Sequence, residues 1–293
     1  MQYRVGEFGV GQLLDVAFNV FKDNYKSMLI VAVLAFLPVT IITVAVLLGG
    51  LLPMYKQLLM FNATGAMPDP TVMFATMAPF FAAVSVLGIL WYLTTIISEG
   101  AITFVTASSY LDNPVAPREA LRYCFSRWWA LLKTALLIAL IFIGILFVGG
   151  ILVALAMGGI SLIAGGLVGG LISFVLIVGL FLAAIMVFLR YFLALKIVIL
   201  EGVAGREALG RSAFLMKGTY GRAFILLLLL GVVSNIIGTA ANLIPFVPVA
   251  IVLSIALQVA IYVYTTSVWT MFYFSNRCKH ENFDLVLLAE EAE

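Results

Sequence analysis

Glu99 and Arg190, with Lys196 and Glu201 nearer the edges, are ionisable residues that fall within long apolar stretches of this 293-residue chain. A charge in such surroundings is costly unless it is paired, so each one is a functional candidate by default. Counted back from the polar segments near Asp112 and Glu201, Glu99 and Arg190 each lie ~16–20 Å into their stretches at helical rise. They carry opposite charge at similar depth, and the spacing predicts that they pair. Such a pair could fix the register of two helices, or hold an ion, a proton or a lipid headgroup. Alternatively, Arg190 could reach the surface alone. Lys196 and Glu201 are shallow enough to extend to headgroup level. Asn235, Asn242 and Gln258 are amides suited to hydrogen bonds between helices, and Pro245 with Pro248 marks a tight turn between the last two stretches.

Other chemistry lacks the residues. The single histidine, His280, lies beyond the last apolar stretch, and Cys278-Lys279-His280 offers two metal ligands at most, where a hydrolytic site needs three. There is no Gly-Lys-Ser/Thr phosphate loop and no Gly-x-Ser-x-Gly turn. No two carboxylates share one expected site, which removes glycosidase-like acid–base work. The expectation is a non-catalytic protein without a cofactor or metal. A net charge of +2 gives no surface for nucleic acid.

The elements that would position Glu99 and Arg190 are set by hydropathy. The chain is 64% hydrophobic and 10% charged, with a mean hydropathy of +1.19. A soluble domain carries about a quarter charged residues, so the shortfall points to lipid as solvent. Stretches 27–51, 74–110, 130–157, 168–199, 222–244 and 247–275 each exceed the ~20 residues needed to cross a bilayer. Every Lys and Arg except Lys56 lies at or near one side of this array. By the positive-inside bias, six helices cross the membrane and both termini face the cytoplasm. There Cys124 and Cys278 would stay reduced. Residues 1–26 lack the form of a cleavable signal and are expected to belong to the fold.

Each outward crossing follows a short amphipathic segment. Val10, Leu13, Leu14, Ala17, Phe18 and Phe21 keep helical spacing on one face. So do Leu121, Cys124, Phe125, Trp128 and Trp129, and then Ala208, Leu209, Ser212, Ala213 and Met216. Such segments are expected to lie along the interface with the apolar stripe among acyl chains. Arg118-Glu119-Ala120-Leu121 recurs as Arg206-Glu207-Ala208-Leu209, which suggests a threefold internal repeat over about 8–110, 115–200 and 203–275, ahead of a tail at 276–293. The fold expectation is therefore one all-α polytopic membrane domain over 1–293, with six transmembrane helices and three interfacial amphipathic helices. Two spans are overlong, and are expected to project into the cytoplasm or break near Glu99-Gly100. Gly165/Gly169 and Gly166/Gly170 have the small-xxx-small spacing of close helix packing. Lys22, Lys26, Arg118, Arg122, Arg127, Arg206, Arg211, Lys217 and Arg222 are the candidate contacts to anionic headgroups.

Glu99-Gly100-Ala101-Ile102-Thr103, Tyr110-Leu111-Asp112-Asn113-Pro114 and the Arg-Glu-Ala-Leu helix form a pattern. With Gly11-Gln12-Leu13-Leu14-Asp15 at one end and Phe283-Asp284-Leu285 at the other, it resembles the bacterial YciC-like proteins. These are related to the membrane domain of glycerophosphoryl diester phosphodiesterases. In that family the phosphodiesterase activity belongs to a separate soluble barrel. The resemblance thus implies a bacterial inner-membrane region without the enzyme and transfers no catalytic residue. The expected function is a scaffold or accessory subunit that meets lipid, other membrane proteins or a second copy. The competing expectation is a transporter or channel with a polar site around Glu99 and Arg190.

Overall fold

The computed structural model describes residues 3, 5–64, 69–164, 166–241 and 246–292. These residues are all-α, without strands. In chain order the helices are α1 (Val10–Thr64), α2 (Pro70–Tyr110), α3 (Pro117–Ser126), α4 (Trp128–Ala164) and α5 (Gly166–Tyr191), then α6 (Ala194–Leu200), α7 (Arg206–Leu215), α8 (Tyr220–Ala241), α9 (Val247–Glu281) and α10 (Phe283–Ala292). Six of them, α1, α2, α4, α5 with its continuation α6, α8 and α9, are long and apolar enough to cross a membrane. This is a polytopic helical membrane protein. Lipid as solvent dictates the choice, because a helix satisfies its own backbone hydrogen bonds where no water can.

Among the long helices α1 packs on α2, α4 on α5, and α9 on α1 more than on α8. The short α3 and α7 each contain ten residues and begin at the repeated Arg-Glu-Ala-Leu sequence, and their equivalent alanines, Ala120 and Ala208, are both fully buried. The first amphipathic segment behaves differently. It is the start of the 55-residue α1 rather than a separate interfacial helix. The reason is local: residues 12–37 contain no Gly or Pro, whereas α7 is parted from α8 by Gly218 in a left-handed turn (φ 73°). Leu13 and Ala17 are buried against protein, and the Tyr264 hydroxyl of α9 donates to the Leu14 carbonyl at 3.2 Å.

Between the first two apolar stretches the chain stays helical as far as Thr64. Asp69 caps α2 by accepting from the Thr71 backbone N–H at 2.8 Å. α2 passes through Glu99-Gly100 without a break. The other overlong span does break, after Tyr191, where the Phe192 N–H bonds the Leu189 carbonyl and α6 restarts at Ala194. Gly165, Asn242 and Pro245 lie outside the described residues, so the Gly165/Gly169 pairing and the Pro245 turn do too. Gly170 faces open space; α4 and α5 approach closely at Gly149, against Leu180. Asn235 and Gln258 bond within their own helices, to the Gly231 carbonyl and the Ser254 hydroxyl, not between helices.

Burial is uneven. Leu13, Met28, Ile102, Tyr110, Leu131, Leu193, Phe272 and Tyr273 are fully buried, all toward the end where the cations cluster. At the opposite end, Leu48, Phe74, Phe147, Leu155, Phe174 and Val252 are more than half exposed and left to lipid.

Candidate functional site

Glu99 on α2 binds Lys196 on α6. The ammonium Nζ stands 2.7 Å from Glu99 Oε1, and the lysine side chain is 1% exposed against 31% for the glutamate. This corrects two expectations. Arg190 is not the partner, and Lys196 does not reach the headgroups. α5 ends at Tyr191 and α6 restarts at Ala194, so Arg190 and Lys196 stand on separate helices. Leu189, Leu193 and Ile197 face inward and take Lys196 with them. Arg190 is exposed beside the Tyr191 ring, with its carbonyl accepting from the Ser212 hydroxyl at 3.0 Å.

Gly100 sets the register of the pair. A Cβ at this position would come within 3.2 Å of Ile199 and 3.4 Å of the Cys124 sulfur. Its absence lets α6 and α3 close onto α2, so that the residue before it meets Lys196. A buried pair of this kind does not have to add net stability, but it holds two helices in one alignment, and losing either partner strands the other.

Around the pair, α9 carries a seam of small polar side chains. Thr106 and Ser267 share a hydrogen bond at 3.3 Å, and the Ser267 hydroxyl also meets Met28 Sδ at 3.6 Å. Further along, the Phe8 N–H donates to Ser275 Oγ at 3.0 Å, and the Asn276 amide reaches Thr219 Oγ1 at 3.4 Å. Inside lipid each hydroxyl without a protein partner is a liability, and most of these bond the carbonyl four residues back as well, as Thr106, Thr266, Ser267 and Thr270 do.

A second charged cluster lies at the cation-rich end. Arg211 of α7 donates through Nε to Glu201 at 2.8 Å and through Nη1 to Glu281. Arg277 Nε holds the other oxygen of Glu281 at 3.0 Å, and the Tyr273 hydroxyl donates to Glu201 at 2.7 Å. The two carboxylates raise the Arg211 pKa, Glu281 most strongly. The Arg277 guanidinium also lies 4.0 Å from the centre of the Phe283 ring of α10, over a cavity of about 580 Å3 bounded by Asp112, Tyr123, Tyr273 and Leu287. Sequence reasoning missed this network, although Arg277 and Glu281 have the i, i+4 spacing of a helix ion pair. Residues 276–292 of the tail are therefore the last turns of α9 and α10.

The nine candidate lipid contacts divide. Lys22, Lys26, Arg118, Arg122, Arg206 and Lys217 are exposed. Arg127 is half-buried, its guanidinium 4.7 Å from the Tyr123 ring centre. Arg211 is committed as above, and Arg222 binds Glu7 at 3.1 Å and the Phe8 carbonyl at 2.9 Å. Both are removed from the lipid-facing set, because their charge is neutralised within the chain. Beside Arg122, Phe125, Trp128 and Trp129 are 65%, 43% and 63% exposed, forming an aromatic edge. Cys124, one residue away, points inward, and burial pushes its thiol up to about 12 against the opposing pull of Arg127.

Comparison with protein-family models, with curated proteins and with solved structures yields no match to this chain. The site must be read from its own geometry. What that geometry can do is hold helices in register and present cations and aromatics at one level.

Proposed function

We propose that this chain is a non-catalytic scaffold or accessory subunit of a bacterial inner membrane, with both termini in the cytoplasm. It engages anionic lipid and, through its exposed apolar faces, other membrane proteins or a second copy. The supporting observation is a division of labour among the polar groups. The deep charges pair with each other, as Glu99 does with Lys196, while Lys22, Lys26, Arg118, Arg122, Arg206 and Lys217 stay free of such burial on the outside. Exposed cations at headgroup level each attract an anionic surface by about 1 kcal/mol, and tryptophans favour the same level. Kinship to the YciC-like group, on the motifs that run from Gly11 to Leu285, belongs to the same proposal.

The test is unfolding of the full chain in nanodiscs of phosphatidylglycerol or of phosphatidylcholine. Anionic discs should raise the midpoint, and a Lys22→Gln, Lys26→Gln, Arg206→Gln, Lys217→Gln variant should lose most of that gain. Equal midpoints in the two lipids would contradict the reading. One observation favours the transport alternative, now centred on Glu99 and Lys196: Glu99 keeps 31% side-chain exposure deep in its span.

A further inference from the structure

We infer that the groove between α2 and the α3–α4 elbow is a binding site for a single phospholipid, with one acyl chain in the groove and an anionic phosphate on Arg118 and Arg122. The proposal rests on the lipid-engaging reading above and names a site for it. The groove encloses about 300 Å3 and is lined by Leu90, Leu93 and Ile97 of α2, Phe125 of α3, and Trp128 and Leu132 of α4. The Thr94 hydroxyl is its main polar group besides the Trp128 indole. Such walls admit a hydrocarbon chain and nothing charged.

Acyl chains already surround that face, and a chain of methylenes is narrower than a helix, which is ~10 Å across.

Charge decides the headgroup. Arg118 and Arg122 are exposed, four residues apart on α3, and so project from one side of the helix. No ion pair among the described residues occupies either. Arg122 and Phe125 are three residues apart on α3, which puts the cation beside a residue that walls the groove. Glu119 shares the aqueous side of α3 with Arg122, around a second, open cavity that includes Ser126. This side of α3 thus carries two cations and one carboxylate, a net attraction for a phosphodiester with an uncharged substituent. Arginine supplies paired N–H donors that match phosphate oxygens.

The experiment is native mass spectrometry of the full chain in mild detergent, stripped of lipid and then titrated with phosphatidylglycerol or phosphatidylcholine. The expected result is one retained phosphatidylglycerol per chain. Leu93→Trp, which fills the groove, should abolish retention of both lipids. Arg118→Gln and Arg122→Gln should each weaken phosphatidylglycerol roughly fivefold and leave phosphatidylcholine unchanged. Should Leu93→Trp fold poorly, a chain with Trp128 as its only tryptophan provides the second readout. Brominated phosphatidylglycerol should quench its fluorescence saturably, at one equivalent. Absence of a retained lipid, equal retention in Leu93→Trp, or quenching that rises linearly with lipid would each overturn the site. If the site fails while anionic nanodiscs still stabilise the chain, the broader reading stands without it. If both fail, the lipid reading itself is wrong.

Discussion

The two ends of this helical bundle obey different rules. At the cation-rich end Leu131 of α4 is 1% exposed, and at the opposite end Leu155 of the same helix is 67% exposed. The side chain is leucine at both places, so its own hydrophobicity does not explain which one is packed. What differs is the polar framework: Glu99–Lys196, the α9 hydroxyls and the Arg211 network all lie toward the packed end. In a bilayer lipid competes with protein for apolar surface, and association between helices relies on close fit and on polar contacts. The comparison teaches that the charges and small polar residues determine where this bundle closes.

The largest expected effect breaks the central pair. Glu99→Gln or Lys196→Met alone should cost ~3–5 kcal/mol in detergent unfolding by leaving one buried charge uncompensated. The double variant should recover much of that loss, while Arg190→Gln should stay within ~0.5 kcal/mol. A large loss in Arg190→Gln and none in Lys196→Met would restore the pairing expected from depth alone.

Next in size, Leu131→Ala should cost ~2–5 kcal/mol through its cavity, and Leu155→Ala on the same helix less than ~0.5 kcal/mol. Equal losses would erase the difference between the ends. A smaller contrast comes from added bulk. Gly100→Leu must displace Ile199 and Cys124, at ~1–3 kcal/mol, whereas Gly150, with open space around it, should accept leucine without penalty. The smallest effect is chemical. With its thiol raised from 9.0 to about 12, Cys124 should resist alkylation at neutral pH until the chain unfolds. Folding favours the protonated thiol, so its contribution is intact below pH 9.0 and is lost as pH rises toward about 12. Rapid alkylation of the native chain would contradict its burial.

Much of this architecture was legible in the sequence. Apolar length marks the spans, and the recurring Arg-Glu-Ala-Leu with its flanking stripes marks α3 and α7. Their stripes divide: Cys124, Ala208, Leu209, Ser212 and Met216 are buried by protein rather than left among acyl chains, while Phe125, Trp128 and Trp129 stay exposed. The partner of Glu99 was not legible. Depth counted along a chain assumes that all helices end at one level, but Gly100 opposes Ile199, nine residues beyond Arg190. That register comes from tertiary packing, which no single-helix pattern contains. The continuity of α1 was hidden for a related reason: amphipathic periodicity reports an apolar face without saying whether lipid or α9 covers it. The Arg211 network joins Glu201, Tyr273 and Glu281 from distant segments, and only the fold brings them together.

Closure of the cation-rich end can be measured at Ser267, fully buried beside Thr106. A Ser267→Cys chain, with Cys124 and Cys278 replaced by alanine, would be exposed in sealed vesicles to a membrane-impermeant thiosulfonate from each side in turn. The account predicts no modification from either face until the protein is unfolded. Modification of the native chain from one face would reveal a water path into the bundle and contradict a closed scaffold.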